Sequence, residues 1–182
     1  MNTATPLLGF CAWGSGVGKT TLLTSVIPLL VLRNMRISVI KHAHHSFDID
    51  HPGKDSYRLR ESGAVQMLLG SSKRWALMTE LSRIDHKSAE PGLDDLLPHV
   101  DGSLVDLIVV EGFRNAAIPK IEVFRPSLGN PLLADTDKHV IAIAADGEVQ
   151  SDLPVLDLNE PVLIADFIVN WVEQQHLSRS LA

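Results

Sequence analysis

Apolar positions change their period several times along the chain, and each change predicts an element. Leu7 to Ala12 is a short apolar run that ends in a glycine cluster, and Leu22, Leu23, Val26, Ile27 and Leu30 then recur at helical spacing between Thr20 and Leu32. Strand, loop and helix follow in that order, with Pro28 inside the helical pattern predicting a kink near Thr24 to Pro28 and Asn34 at its end. Arg36 to Lys41 is β-branched enough to be a second buried strand, which completes a βαβ unit.

His42 to Ser56 is polar, with Pro52-Gly53 as a turn signal, and a short helix from Tyr57 is closed by Gly63. Val65 to Leu69 and Trp75 to Thr79 are expected to be paired strands, followed by a polar segment of mixed charge from Leu81 to Pro91. Leu93 to Val100 reads as a weak helix. Leu104 to Val110 is the most continuous apolar, β-branched run and is expected to be a central parallel strand. Ile118 to Phe124, Val140 to Ala144 and Val155 to Leu158 complete the strands, the first of these expected at an edge where two copies could pair, and Glu160 to Gln175 is an amphipathic closing helix.

Composition narrows the class. The 182 residues suit one domain, 1–182, and 45% hydrophobic with 21% charged residues excludes a disordered or fibrous chain. A net charge of -6 argues against a nucleic-acid partner, since no overall basic field is present. Cys11 is the only cysteine, so neither an intrachain disulfide nor a thiolate-rich zinc site can be built. The first residues have no basic n-region and no long apolar run, so a cytoplasmic protein without a membrane segment is expected.

Gly14-Ser15-Gly16-Val17-Gly18-Lys19-Thr20-Thr21, between a strand and a helix, has the chemistry of a Walker A loop. Its glycines let backbone N–H groups converge on an anion, and the helix that follows adds the positive end of its dipole. Lys19 is expected to reach the β- and γ-phosphates and Thr20 to ligate magnesium. The first place of the pattern is Trp13 instead of glycine, which leaves the loop conformation open. Glu111, at the carboxyl end of the LIVV run and before Gly112, is the expected second magnesium ligand, a hard oxygen suited to that ion. Asp106 belongs at the other end of the same strand. The fold class implied is α/β, a three-layer P-loop NTPase fold with a mostly parallel central sheet.

Lys41-His42-Ala43-His44-His45 follows the second strand at the same sheet edge, with phosphate-facing or exposed histidines preferred over a metal site. Lys19, Asp48 and Glu111 form the expected catalytic set, with Asp50 as the alternative to Asp48 for orienting water or magnesium. Gly53-Lys54-Asp55-Ser56 suits substrate contact or helix capping by Asp55 or Ser56 equally well. Arg74, Trp75 and Glu80 are minor site candidates. No NKxD motif is present, and Asp146 stands after a strand where a carboxylate could meet a guanine edge.

Taken together, AWGSGVGKTTL, VIKHAHHSFDIDHPGKDSYRLRESGA, RWALMTE and DLIVVEGF resemble the molybdopterin-guanine dinucleotide biosynthesis protein B (MobB) family, from the first strand to about Phe124. The phosphate loop is widely shared, whereas KHxHH, PGKDS and VEGF in this order are far more specific. The resemblance implies a GTP-binding fold of the class that includes the nickel-insertion GTPases, usually a homodimer. It implies a weak GTPase that assists the guanylyltransferase MobA in attaching GMP to molybdopterin, the precursor of the molybdenum cofactor's guanine dinucleotide form. Carried over by position, Gly14, Ser15, Gly16, Val17, Gly18, Lys19, Thr20 and Thr21 would bind phosphates of GTP. Thr20 and Glu111 would hold Mg2+, and Gly53, Lys54, Asp55 and Ser56 would line the nucleotide site. No arginine finger is evident, and Arg114 or a partner is the candidate source. An ATP-dependent small-molecule kinase and a nickel-type metallochaperone GTPase are the alternatives.

Overall fold

The computed structural model describes residues 5–43, 47–84 and 90–180, so His44, His45 and residues 85–89 of the polar 81–91 segment lie outside the described residues. The chain divides into two compact units, one formed by Met1–His42 with Gly92–Ala182 and the other by Ala43–Pro91.

The larger unit is built on six parallel strands: β1 (Leu7–Cys11), β2 (Ile37–Lys41), β5 (Leu107–Glu111), β6 (Lys120–Phe124), β7 (Val140–Ala145) and β8 (Val155–Asp157), in the order β2-β5-β1-β6-β7-β8. β1 lies between β5 and β6, so the loop leaving β1 emerges among the carboxyl ends of the middle strands, where open α/β sheets bind ligands. Helix α1 (Lys19–Leu32) runs unbroken through Pro28 and packs with α4 (Pro161–Ser180) on one face, burying Leu22, Leu23, Val26 and Leu30 against Leu8, Phe10, Ile164 and Ile168. The other face buries Ile40, Ile108 and Val110 under Leu93 of α3 (Leu93–Leu96). The expected weak helix over 93–100 is therefore one α-helical turn, continued as a 3-10 turn over Leu97–His99 that contains Pro98.

Two expectations change. The strand expected from Leu104 begins at Leu107, because Gly102–Leu104 is a 3-10 turn capped by the Asp101 carboxylate. Ile118 to Phe124 is not an edge: β6 is paired on both sides, with β1 and β7, and cannot add a strand from a second copy. It also carries two charged residues into the interior, since Lys120 and Glu122 are each 1% exposed. The Lys120 ammonium donates to the carbonyls of Arg114 and Ala116, both at 2.8 Å, and to the Asp137 carboxylate. The Glu122 carboxylate accepts from the N–H groups of Leu133 (2.8 Å) and Ala134 (2.9 Å). Burial nevertheless pushes the Glu122 carboxyl upward in pKa.

The smaller unit holds α2 (Asp55–Glu61) and an antiparallel hairpin of β3 (Gln66–Gly70) and β4 (Trp75–Thr79), which pair as expected. Arg60, on α2, is buried and joins the unit's parts: its guanidinium donates to Glu80 at 2.8 Å and to Asp48 at 2.5 Å. Arg83 adds bonds to the carbonyls of Arg60 (2.5 Å) and Ala64 (2.7 Å).

Candidate phosphate and metal site

Residues 12–18 link β1 to α1, and Trp13 to Gly16 are exposed. Gly18 has φ 114°, a conformation that L side chains rarely adopt, and a Cβ there would lie 3.2 Å from the Arg125 guanidinium. With glycine in the N-cap place of α1, no side chain occupies the first-turn N–H groups, and the first turn has no acidic residue. Among the described residues only Asn34 and Phe113 combine a side chain with positive φ, so Trp13 does not sit in a left-handed backbone. Arg114 holds it in place, donating to the Trp13 carbonyl at 3.0 Å with its guanidinium 5.5 Å from the ring centroid.

Lys19 donates to the Gly14 carbonyl at 2.8 Å, folded back across the loop that it is expected to serve. Desolvation lowers its pKa, opposed by the negative charge of Glu111. Thr20 donates to Glu111 Oε1 at 2.5 Å. Lys41, the last residue of β2 and the register partner of Glu111, donates to the same Oε1 at 2.6 Å and to Thr20 Oγ1 at 3.1 Å. Burial works to raise the Glu111 carboxyl, but the hydrogen bonds from Lys41 and Thr20 and the charges of Lys41 and Lys19 outweigh it and hold the group ionised.

Gly112 follows with φ 93°, and a Cβ there would lie 2.8 Å from His42 Cβ, so only glycine lets the chain turn away beneath β2. Phe113 then takes φ 46° and lays its ring 4.8 Å from the His42 ring. The sequence Glu-Gly-Phe thus has a steric basis: an acid at the strand end, a turn that excludes Cβ, and a ring that supports the neighbouring strand. Asp106, at the opposite end of β5, is bound by Arg36 and does not belong to this site.

Arg125, at the end of β6, was not anticipated. It donates to the Val17 carbonyl at 2.8 Å and pairs with Asp146 at the end of β7, so the phosphate loop is tied to two neighbouring strand ends. Its only sequence signal is its place one residue after a strand.

The remaining expected residues lie in the smaller unit. Gly53 forms the expected turn, with φ 91° and Lys54 N–H bonded to the His51 carbonyl at 3.2 Å. Neither Asp55 nor Ser56 caps α2, because the N-cap place belongs to Lys54; the Ser56 hydroxyl donates to Asp50 at 3.0 Å. Asp48 is engaged by Arg60, and the Asp50 N–H is first among the groups that lower its pKa. Glu80 is Arg60's other partner, and Trp75 is 68% exposed. Among the described residues no group of three or more His, Cys, Asp and Glu could hold a metal, and no helix is long and apolar enough to cross a membrane.

Thr20 Oγ1 and Glu111 Oε1 are both hard oxygens at a helix start and a strand end, the donor chemistry that a magnesium ion takes, so these residues fit the ion the phosphate loop implies.

Comparison with known proteins gives the family and the fold. A family model described as Molybdopterin guanine dinucleotide synthesis protein B matches residues 7–146. A molybdopterin-guanine dinucleotide biosynthesis adapter protein of Escherichia coli (strain K12) is 47% identical over 96% of this chain and 97% of its own length. One of Haemophilus influenzae is 43% identical over 98% and 96%. A crystal structure of molybdopterin-guanine biosynthesis protein B superposes with a TM-score of 0.68 at 25% identity, covering 92% of this chain and 99% of that one. A MobB homolog from Bacillus stearothermophilus shares the fold, with a TM-score of 0.65 at 20% identity over 92% of this chain and 98% of its own.

Proposed function

Because the chain belongs to the molybdopterin guanine dinucleotide synthesis protein B family, we propose that it is an adapter of molybdopterin-guanine dinucleotide biosynthesis whose working part is a GTP- and magnesium-binding phosphate loop. The observation that carries the nucleotide reading is the meeting of Lys19, Thr20 and Glu111 around one loop, with Thr20 and Glu111 joined at 2.5 Å.

In this reading Gly14 to Thr21 wrap the phosphates with backbone N–H groups, and Lys19 exchanges the Gly14 carbonyl for phosphate oxygens. Thr20 and Glu111 hold the magnesium ion, which supplies charge neutralisation to the triphosphate when bound. Asp146, held by Arg125, is the group assigned to the guanine edge. Arg114, fixed on Trp13, stands beside the loop, and without a guanidinium inserted at the phosphates hydrolysis stays slow, since such a group is worth about a thousandfold or more in GTPases. Asp48 is assigned to keeping its own segment, which carries Gly53 to Ser56, in place through Arg60.

The partner is a MobA-type guanylyltransferase acting on molybdopterin. A second copy of this chain is assigned to the β3–β4 hairpin, because two strands alone are marginal in water and Leu68 (63% exposed) and Trp75 (68%) lie open on it.

Calorimetric titration with Mg-GTP and, separately, Mg-ATP tests the reading, with Lys19→Ala as control. GTP-selective heat that Lys19→Ala abolishes supports it, and retention of the guanylyltransferase on the immobilised chain extends it to the partner. Binding of ATP to the exclusion of GTP overturns it.

A further inference from the structure

Two lysines flank the phosphate site, and the structure gives them different partners. Lys19 rests on the Gly14 carbonyl of its own loop at 2.8 Å, whereas Lys41 reaches Glu111 at 2.6 Å and Thr20 at 3.1 Å. Lys41 comes from β2 and Thr20 from α1, so they approach the Glu111 carboxylate from different elements and share its Oε1. The ammonium therefore contacts both oxygens suited to the divalent ion.

We propose that Lys41 is a tethered cation that occupies the magnesium ligands Thr20 and Glu111 until the ion arrives together with a nucleoside triphosphate, so that divalent-ion binding depends on nucleotide binding. This rests on the nucleotide reading above. A nearly buried carboxylate without a counter-charge is costly, and the Glu111 side chain is only 9% exposed, so a partner is required in the free protein. A divalent ion and an ammonium cannot share the same oxygen at contact distance, because like charges repel strongly there. Magnesium alone must compete with an intramolecular lysine that is always present at high effective concentration. Magnesium delivered with a triphosphate brings oxygens of its own, and these add the affinity needed to displace the lysine.

The geometry also makes displacement inexpensive. The Lys41 side chain is 53% exposed at the end of its strand, so the ammonium regains water when it leaves, and no packed element has to move. Once displaced, it remains tethered beside Glu111 as a positive charge at the edge of the phosphate site.

The test is a Mn2+ titration of the nucleotide-free protein followed by electron paramagnetic resonance, on the wild type, Lys41→Met and Lys41→Met/Thr20→Val. Mn2+ stands in for Mg2+ as a hard, oxygen-seeking ion. Lys41→Met is expected to bind Mn2+ at least about tenfold more tightly than the wild type, and the double variant to lose that gain. With saturating GTP the two single-chain affinities converge. A lysine that only stabilises the fold would lower the melting temperature and leave Mn2+ affinity unchanged. If wild type binds Mg-GTP in calorimetry but Lys41→Met and a second variant, Lys41→Gln, both bind Mn2+ as weakly as wild type, the proposal falls and the nucleotide reading stands. If the folded wild type binds no nucleotide, both fall.

Discussion

Asp137→Ala tests whether the buried charge of Lys120 organises the region behind the phosphate loop. Lys120 is 1% exposed, and its ammonium is held by the Asp137 carboxylate and the carbonyls of Arg114 and Ala116, residues of the loop that follows Glu111. Removing the carboxylate leaves an ammonium in the interior with two neutral acceptors. Breaking a buried pair from one side costs about 3–5 kcal/mol, and because Asp137 keeps 24% of its side-chain exposure the lower end, about 3 kcal/mol, applies. At about 2–4 °C per kcal/mol for a chain of this size, the melting temperature should fall by about 6–12 °C. The double variant Lys120→Met/Asp137→Ala removes the orphaned charge as well and should recover part of the loss. Urea unfolding of the wild type, both single variants and the double variant closes the cycle. A single Asp137→Ala variant within about 1 kcal/mol of wild type, or a double variant whose loss equals the sum of the singles, would refute the reasoning.

Gly112→Ala should destabilise the chain by about 2 kcal/mol or more, because it combines a left-handed backbone with a 2.8 Å approach to His42 Cβ; its urea midpoint measures this. The hydrogen bonds from Arg36, side chain and backbone, hold Asp106 at about 2, below its ordinary 3.8. Its folded value is depressed, so its stabilisation is complete above the unfolded value and is lost as pH falls from 3.8 toward about 2. In Asp106→Asn the acid limb of the stability curve over that window should flatten, and an unchanged limb would contradict the pairing. Burial, then the nearby Glu122, pushes the Cys11 thiol up to about 12, so an aromatic disulfide reagent at neutral pH should label it only as the chain unfolds. Rapid labelling of the folded protein would show that the β1 interior is open.

Periodicity, glycine spacing and strand-end chemistry are local properties, and they determine most of the elements, the phosphate loop and the identity of Glu111 as its acidic partner. β5 is five buried residues ending in that glutamate, and an apolar run that stops at an acid can be read without knowing its neighbours. The motif blocks likewise point to the family from residues alone. Strand order is a non-local property, and what depends on it stays hidden until the sheet is assembled. Lys120 and Glu122 in an apolar run look like one polar face of an edge strand; with β6 enclosed between β1 and β7 they become interior charges that need Asp137 and the Leu133 and Ala134 N–H groups. Lys41 is one more lysine before a histidine cluster until β2 pairs with β5 and places it opposite Glu111. Asp48 looks free to serve catalysis until α2 brings Arg60 to it, and Arg125 has no motif at all until three strand ends come together around Val17. Local patterns set which residues can carry charge at a strand end, and tertiary pairing decides which charges meet, because a charge at low dielectric is stable only beside the partner that the fold supplies.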